Sequence, residues 1–426
     1  MKRAFLLALF LAVALAGGGR GGSASASAQR AKRALAVAEV ALSVVLLTGA
    51  GLLLRSFVSL RAVDPGFATA GRMTFGVSLP DARYGKPEKS AAFMHDLLTR
   101  VRALPGVQRA GFGMILPLDG SSYGISAQTI DGRTLPNDEQ DRLVTQIRVV
   151  SPQWLEAMGI PLRRGRTIEE SDRFGAPNVV VMNESAARLV FGTADPLGHT
   201  FTIGTRFGLG RGYAGGTIVG VVGDVRNDGL AKPPSPTIYL AHDQWPIGSG
   251  SVVMQTVGEP AGLVAPSRDA LAAIDPDVPL FRARTMDDIT AASVARPRFL
   301  TTLLGIFATV AAILAAIGLY GVIAYAVGER TREIGIRVAL GARDVDVLGL
   351  VLRGGLALAT AGVAIGLVGS VATSRLLRGL LYGVGPFDVA TFTLTAALVL
   401  GVALLATWLP ARRAARLDPV EALRVE

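Results

Sequence analysis

The sequence predicts a membrane α-helical protein with four transmembrane helices and a large extracytoplasmic α+β domain of two lobes, a βαβ-type lobe carrying an inserted β-rich lobe. Three observations predict it. Four apolar runs are long enough to cross a bilayer, which takes about 20 helical residues at about 1.5 Å each. Three clusters of Arg and Lys beside these runs fall on one side if the spans alternate. Between the first and second run, strand-type and helix-type patterns alternate. The composition agrees: of 426 residues, 50% are hydrophobic and only 18% charged, with a mean hydropathy of +0.44, too little charge to clothe a soluble surface of this size.

Residues 1–33 read as a leader and flexible cytoplasmic linker. Lys2 and Arg3, the apolar run Phe5–Ala16 and Ser25-Ala26-Ser27-Ala28 fit a secretory signal with a small-residue cleavage site, or a short cytoplasmic or interfacial leader. Cleavage would leave Gln29 outside and reverse the helix that follows. Gly17–Ala28 has linker composition in both cases. The first span, Ala34–Leu54, contains one charge, Glu39. A charge at the bilayer centre costs about 2.5–3.5 kcal/mol. Glu39, about one and a half turns from the cytoplasmic end, is expected to snorkel and to complement the helix N-terminus.

The segment 55–298 is expected outside. Met73–Leu79 reads as strand, Glu88–Leu104 as helix and Val107–Ile115 as strand. Ser251–Val257, Leu263–Ile274 and Val278–Ala283 repeat that order, with Asp275-Pro276 ending the helix. The portion between these βαβ-like units is rich in β-type runs such as Thr217–Val222 and Thr237–Leu240, with one helical stretch at Asn183–Phe191. The remaining spans are Phe299–Val327, Gly354–Thr373 and Val389–Leu409, the last with Trp408 at the depth of an aromatic belt. Residues 328–353 join the second and third. Arg30, Lys32 and Arg33, then Arg330, Arg332, Arg337 and Arg343, then Arg412, Arg413 and Arg416 all fall on one side if the spans alternate. That side is cytoplasmic.

The same features exclude other classes. The net charge of +10 follows from retention of basic residues on the cytoplasmic side, so no nucleic-acid partner is expected. The chain has no cysteine, which removes disulfides and thiolate metal sites, and His95, His199 and His242 lack ligand spacing. No metal, cofactor or catalytic residue is expected. Gly210–Gly215 fits a dinucleotide fingerprint, but a strand signal follows where a helix is required. Gly120–Gly124 fits a nucleophile elbow around Ser122, yet it too runs into strand, and no histidine sits in a triad arrangement. A phosphate-cradling Walker A pattern is absent from the sequence. ATP chemistry is therefore expected on another polypeptide, and this chain is not expected to be an enzyme.

One cytoplasmic segment carries more than topology requires. In Glu329-Arg330-Thr331-Arg332-Glu333-Ile334-Gly335-Ile336-Arg337-Val338-Ala339-Leu340-Gly341-Ala342, Glu333 and Arg337 stand at i,i+4 in the favourable order. Ile334, Val338 and Gly341 share another face. Gly341 ends a short helix, and Asp344 caps the next. An apolar face beside paired charges on a short helix is what a docking element needs.

This stretch resembles the coupling segment of ABC-transporter permeases of the MacB/FtsX type. So does the closing run from Leu409 through Arg412, Arg413, Asp418, Pro419 and Glu421 to Arg424. Ala38–Phe57 with Val63-Asp64-Pro65-Gly66-Phe67 is similar to the start of the second repeat of long two-repeat members, and Val221–Arg226 and Arg296–Leu300 fit the same pattern. The resemblance implies a periplasmic MacB-like core domain over 55–298 and an FtsX-like permease domain over 299–419. It also implies an inner-membrane location and docking of Glu329, Arg330, Arg332, Glu333, Gly335, Arg337, Ala339, Gly341 and Ala342 onto a separate ABC ATPase subunit. A homo- or heterodimer of permeases is implied, working by mechanotransmission without substrate passing between the helices. Long members carry a preceding four-helix repeat that is not in this sequence, which leaves open a single-repeat subunit, a truncated gene or a gene read from an internal start. Export is the expected role, with the substrate and any periplasmic adaptor left open. The alternative is an FtsX-like signalling protein that activates a periplasmic partner such as a cell-wall hydrolase.

Overall fold

The computed structural model describes residues 24–120, 123–204, 214–340 and 342–415. Helix α1 (Ala24–Arg61) leads into β1 (Arg72–Ser78), α2 (Asp81–Tyr84), α3 (Pro87–Arg102), β2 (Val107–Gly113), β3 (Gly124–Ile130), β4 (Arg133–Thr134) and α4 (Asn137–Arg142). Next come β5 (Val144–Val150), α5 (Trp154–Ala157), β6 (Leu162–Gly165), β7 (Val179–Asn183), α6 (Glu184–Phe191), β8 (Thr200–Ile203), β9 (Gly215–Val222) and β10 (Thr237–Ala241). Then β11 (Ser249–Thr256), α7 (Val264–Ala272), β12 (Phe281–Thr285) and α8 (Met286–Ser293) precede α9 (Ala295–Glu329), α10 (Thr331–Ala339), α11 (Asp344–Leu377) and α12 (Val389–Ala415). Residues 62–295 form one compact unit, and the helices before and after form another.

In the helical unit the four apolar runs lie inside α1, α9, α11 and α12, each long and apolar enough to span a bilayer. The helices outrun the runs through flanks that carry Ala, Leu and Arg, good helix formers, and in α12 through Pro410 as well. This overturns one expectation: the flexible linker through Arg33 does not hold from Ala24 onward, where the Ala-, Gln- and Arg-rich chain is already helical. The leader motif itself lies largely outside the described residues. Close packing comes from small residues: a Cβ on Gly362 or Gly366 of α11 would collide with Val40 or Val44 of α1, so the two backbones approach closely. Val40, Val44, Ala315, Val363 and Val399 bring all four spans into one apolar cluster. The opposite face of α9 presents Phe299, Ile306, Phe307, Ile313 and Ile317 outward, as a lipid-facing stripe does. On the outer side Arg55 pairs with Asp388, which also accepts the Thr391 N–H at 2.9 Å.

The second unit contains a sheet running β12-β1-β11-β2 through its first lobe. β1 lies antiparallel to β11 and β12, and β11 antiparallel to β2. The two βαβ-like units therefore interleave: β11 sits between β1 and β2, and β1 sits between β11 and β12. The apolar faces of α3 and α7 cover this sheet, burying Phe75, Leu97, Phe112, Met254 and Leu271. In the second lobe β5, β10, β7, β9, β8 and β3 pair in turn, and β3 pairs again with β5, closing a ring. Ile147, Val180, Phe201, Ile238 and Leu240 fill it. One register pair, Gly113 with Val150, joins the sheets of the two lobes. Beside it Trp154 packs against Gly111 through its backbone and against Gly113 through its indole ring, where any Cβ would collide with it. The last strand begins at Phe281 rather than Val278, because Val278 drops into the first core from the preceding turn.

Candidate functional site

The coupling segment is built from the end of α9 upward. Arg330 leaves helical geometry at φ −105° and ψ 12°, which bends the chain between α9 and α10. The break is bridged by Ile334 N–H donating to the Arg330 carbonyl at 2.9 Å and by Thr331 Oγ1 donating to the Gly328 carbonyl at 2.8 Å. Ile334 is 2% exposed and packs with Val347 of α11 and with Ala414 and Ala415 of α12, with Val338, Val327 and Val351 alongside. Burial of Ile334 is worth about 1.5–3 kcal/mol, enough to fasten a nine-residue helix that would not stand alone.

The other face looks away from the spans. Arg337 donates to Glu333 at 2.7 Å, both half exposed. Around that pair Ile336 is 45% and Leu340 83% exposed, and Val345 at the start of α11 is 73% exposed. Residues 333, 336, 337 and 340 follow the i, i+3, i+4, i+7 spacing of one helix face. The apolar face read from the sequence, Ile334 with Val338, thus turns inward, because three span ends offer it an apolar seat. Ile336 and Leu340 were missed, though their i,i+4 spacing was visible.

The remaining predicted residues distribute as follows. Glu329 accepts from Gln29 Nε2 at 2.7 Å, Gly335 is buried beside Ile334, and Ala339 and Arg330 are exposed. Ala342 N–H donates to the Arg337 carbonyl at 3.0 Å. The Arg332 side chain and Gly341 lie outside the described residues, as do Ser122, most of the Gly210–Gly215 motif and the closing run beyond Ala415. The cap of α11 differs from expectation: Asp346, not Asp344, accepts the Arg343 N–H, at 3.1 Å. Asp344 is already the first helical residue. Glu39 also departs from its snorkelling role. Its Oε2 is buried against Gly318 of α9, with no hydrogen-bond partner among the described residues. Ser43 one turn on donates to the Glu39 and Ala311 carbonyls at 2.8 Å each, tying α1 to α9.

In the outer unit two of the resembling segments come together. Arg226 N–H donates to the Pro65 carbonyl at 3.0 Å, Gly66 lies against the Asp224 carbonyl, and Asp64 Oδ1 accepts the Gly66 N–H at 2.9 Å. Asp224 in turn accepts from Ser185 N–H and Oγ and from Arg188. Comparison with known proteins gives the same two parts: residues 34–261 match the MacB-like periplasmic core domain and residues 305–419 the FtsX-like permease C-terminal domain. The chain belongs to the MacB/FtsX permease family. It is 28% identical over 287 residues to the macrolide export ATP-binding/permease protein MacB of Wolinella succinogenes, covering 66% of this chain and 44% of that one. It is also 28% identical over 298 residues to the probable syringafactin export ATP-binding/permease protein SyfD of Pseudomonas syringae pv. tomato, covering 65% and 42%. The MacB/FtsX chain described here thus spans less than half the length of these curated relatives. Among solved structures, the periplasmic region of MacB from Actinobacillus actinomycetemcomitans superposes at a TM-score of 0.34 and 16% identity, over 53% of this chain and 94% of that one. As a family member with four spanning helices, the protein is a multi-pass inner-membrane permease with a large periplasmic domain.

Proposed function

We propose that this permease couples ATP hydrolysis by a nucleotide-binding partner to movement of the periplasmic domain in export, and that α10 is where the partner docks. The observation that carries the reading is the outward face of α10, where Ile336 and Leu340 flank the Glu333–Arg337 pair on a helix fastened by Ile334. Exposed apolar side chains around a fixed ion pair, on the side of the membrane that holds ATP, form a surface to be covered. The relatives named above unite ATP-binding and permease functions in their names, so the partner is either a separate subunit or another part of a longer chain. They are named for export, which favours that role over signalling. Movement reaches the outer domain through α9 and α1, which run continuously from cytoplasmic to outer side.

The test is co-purification with an ABC-type nucleotide-binding protein identified by its Walker A motif. Disrupting one member of a desolvated interfacial pair costs about 2–5 kcal/mol, at least a tenfold loss of affinity, so Glu333→Arg should lower recovery at least tenfold, and Leu340→Asp, which buries an unpaired charge in the same interface, should lower it as well. Neither change touches Ile334, so membrane insertion and protease resistance of the outer domain stay as in wild type. Undiminished recovery of the partner by both variants would leave this segment a topology signal only.

A further inference from the structure

We propose that the crevice behind α10 is a binding site for an anionic phospholipid. The crevice, about 380 Å³, opens where α1, α9, α10 and α11 meet at the cytoplasmic end of the spans. Two guanidinium groups stand at it, Arg33 of α1 and Arg330 of the bend before α10. Its remaining walls are apolar, with Ile334 on α10 and Leu350, Ala357 and Leu358 on α11 running toward the bilayer interior. Among the described residues neither guanidinium has a carboxylate partner. The nearby acids are engaged elsewhere, Glu329 with Gln29 and Glu333 with Arg337.

Two cations without a carboxylate partner among the described residues, at headgroup level above an apolar slot, match one chemistry, a lipid with an anionic phosphodiester head and acyl chains. Basic pockets between transmembrane helices on the cytoplasmic side are suited to such heads. A water-soluble anion would satisfy the arginines and leave the slot unfilled, and a zwitterionic lipid would set its own cation beside them. The site is separate from the proposed docking face, because it abuts the inward side of α10. A bound lipid would brace α10 from behind, linking membrane composition to the position of the helix.

The experiment is native mass spectrometry of the full-length chain in detergent, titrated with phosphatidylglycerol, phosphatidylcholine or glycerol 3-phosphate. Wild type should retain phosphatidylglycerol in preference to phosphatidylcholine. At about 1 kcal/mol for each basic residue near the surface, losing one arginine weakens retention about fivefold and losing both about thirtyfold. R33Q/R330Q should show that loss and R33K/R330K should not. A357F, which fills the slot and keeps both arginines, should lower retention without removing a topology-determining charge. Equal retention of both lipids, unchanged retention in R33Q/R330Q, or displacement of the lipid by glycerol 3-phosphate at equal concentration would each overturn the proposal.

Discussion

Gly66 shows how much a single residue fixes in the outer domain. It sits at φ +81°, and a Cβ there would run into the Asp224 carbonyl. Gly66→Ala therefore meets both backbone strain, about 1–3 kcal/mol, and a collision. Limited proteolysis of the full chain should cut the Gly66→Ala outer domain several-fold faster, without loss of the spans. Asp275 provides a second residue-scale test. Tyr84 donates to it at 2.7 Å, and Arg83 pairs with it as well. Chiefly through the Tyr84 hydrogen bond, its carboxyl is held below the usual range. A lowered pKa contributes stability above the unfolded value of about 3.9 and loses it as pH falls through the folded value. Asp275→Asn should flatten the fall in outer-domain stability below pH about 4, measured by thermal melting across a pH series. An unchanged acid limb would contradict that assignment.

At the scale of elements, the close seam between α1 and α11 depends on absent side chains. Gly366→Leu overpacks it, at a cost of about 1–3 kcal/mol. Gly401→Leu on α12 meets open space and should be neutral. Thermal aggregation in detergent distinguishes the two, and equal behaviour would mean the seam is not load-sharing in the folded state. The spans were legible because hydrophobic runs of bilayer length have few alternative structures. In the outer domain α3, α6 and α7 and the strands β1, β2, β9, β10 and β11 were legible from their periods, whereas the short helices α2, α4, α5 and α8 and the strands β4 to β8 are too short or too irregular to show one. The interleaving of β1 with β11 was not, since a strand pattern records which face is buried and nothing about which strand lies beside it. Likewise Ile334 and Ile336 look equivalent in the sequence. Only the seat offered by Val347, Ala414 and Ala415 decides which of them turns inward. Arg148 is a further case: it is 1% exposed in β5, where its Nη2 donates to Gln146, which itself donates to Asp228. Burial pushes its pKa down, and no local pattern marks an arginine for such a place.

For the whole molecule, the account requires the outer domain and α10 on opposite sides of the membrane. Reporter fusions after Lys86 and after Pro276 should report outside, and those after Arg343 and at Glu426 inside. A cytoplasmic signal after Lys86 would reverse the orientation. With no phosphate-cradling loop in its sequence, the purified chain should neither bind nor hydrolyse ATP. Hydrolysis by a preparation shown by mass spectrometry to hold no partner would contradict this. The most direct test of coupling exploits the absence of cysteine. An environment-sensitive fluorophore on Ala265→Cys, exposed on α7, reports on the outer domain of the permease reconstituted in bilayers with its nucleotide-binding partner. The account predicts that ATP changes its emission and that Glu333→Arg together with Leu340→Asp abolishes the change; the same ATP response in that double variant would contradict it.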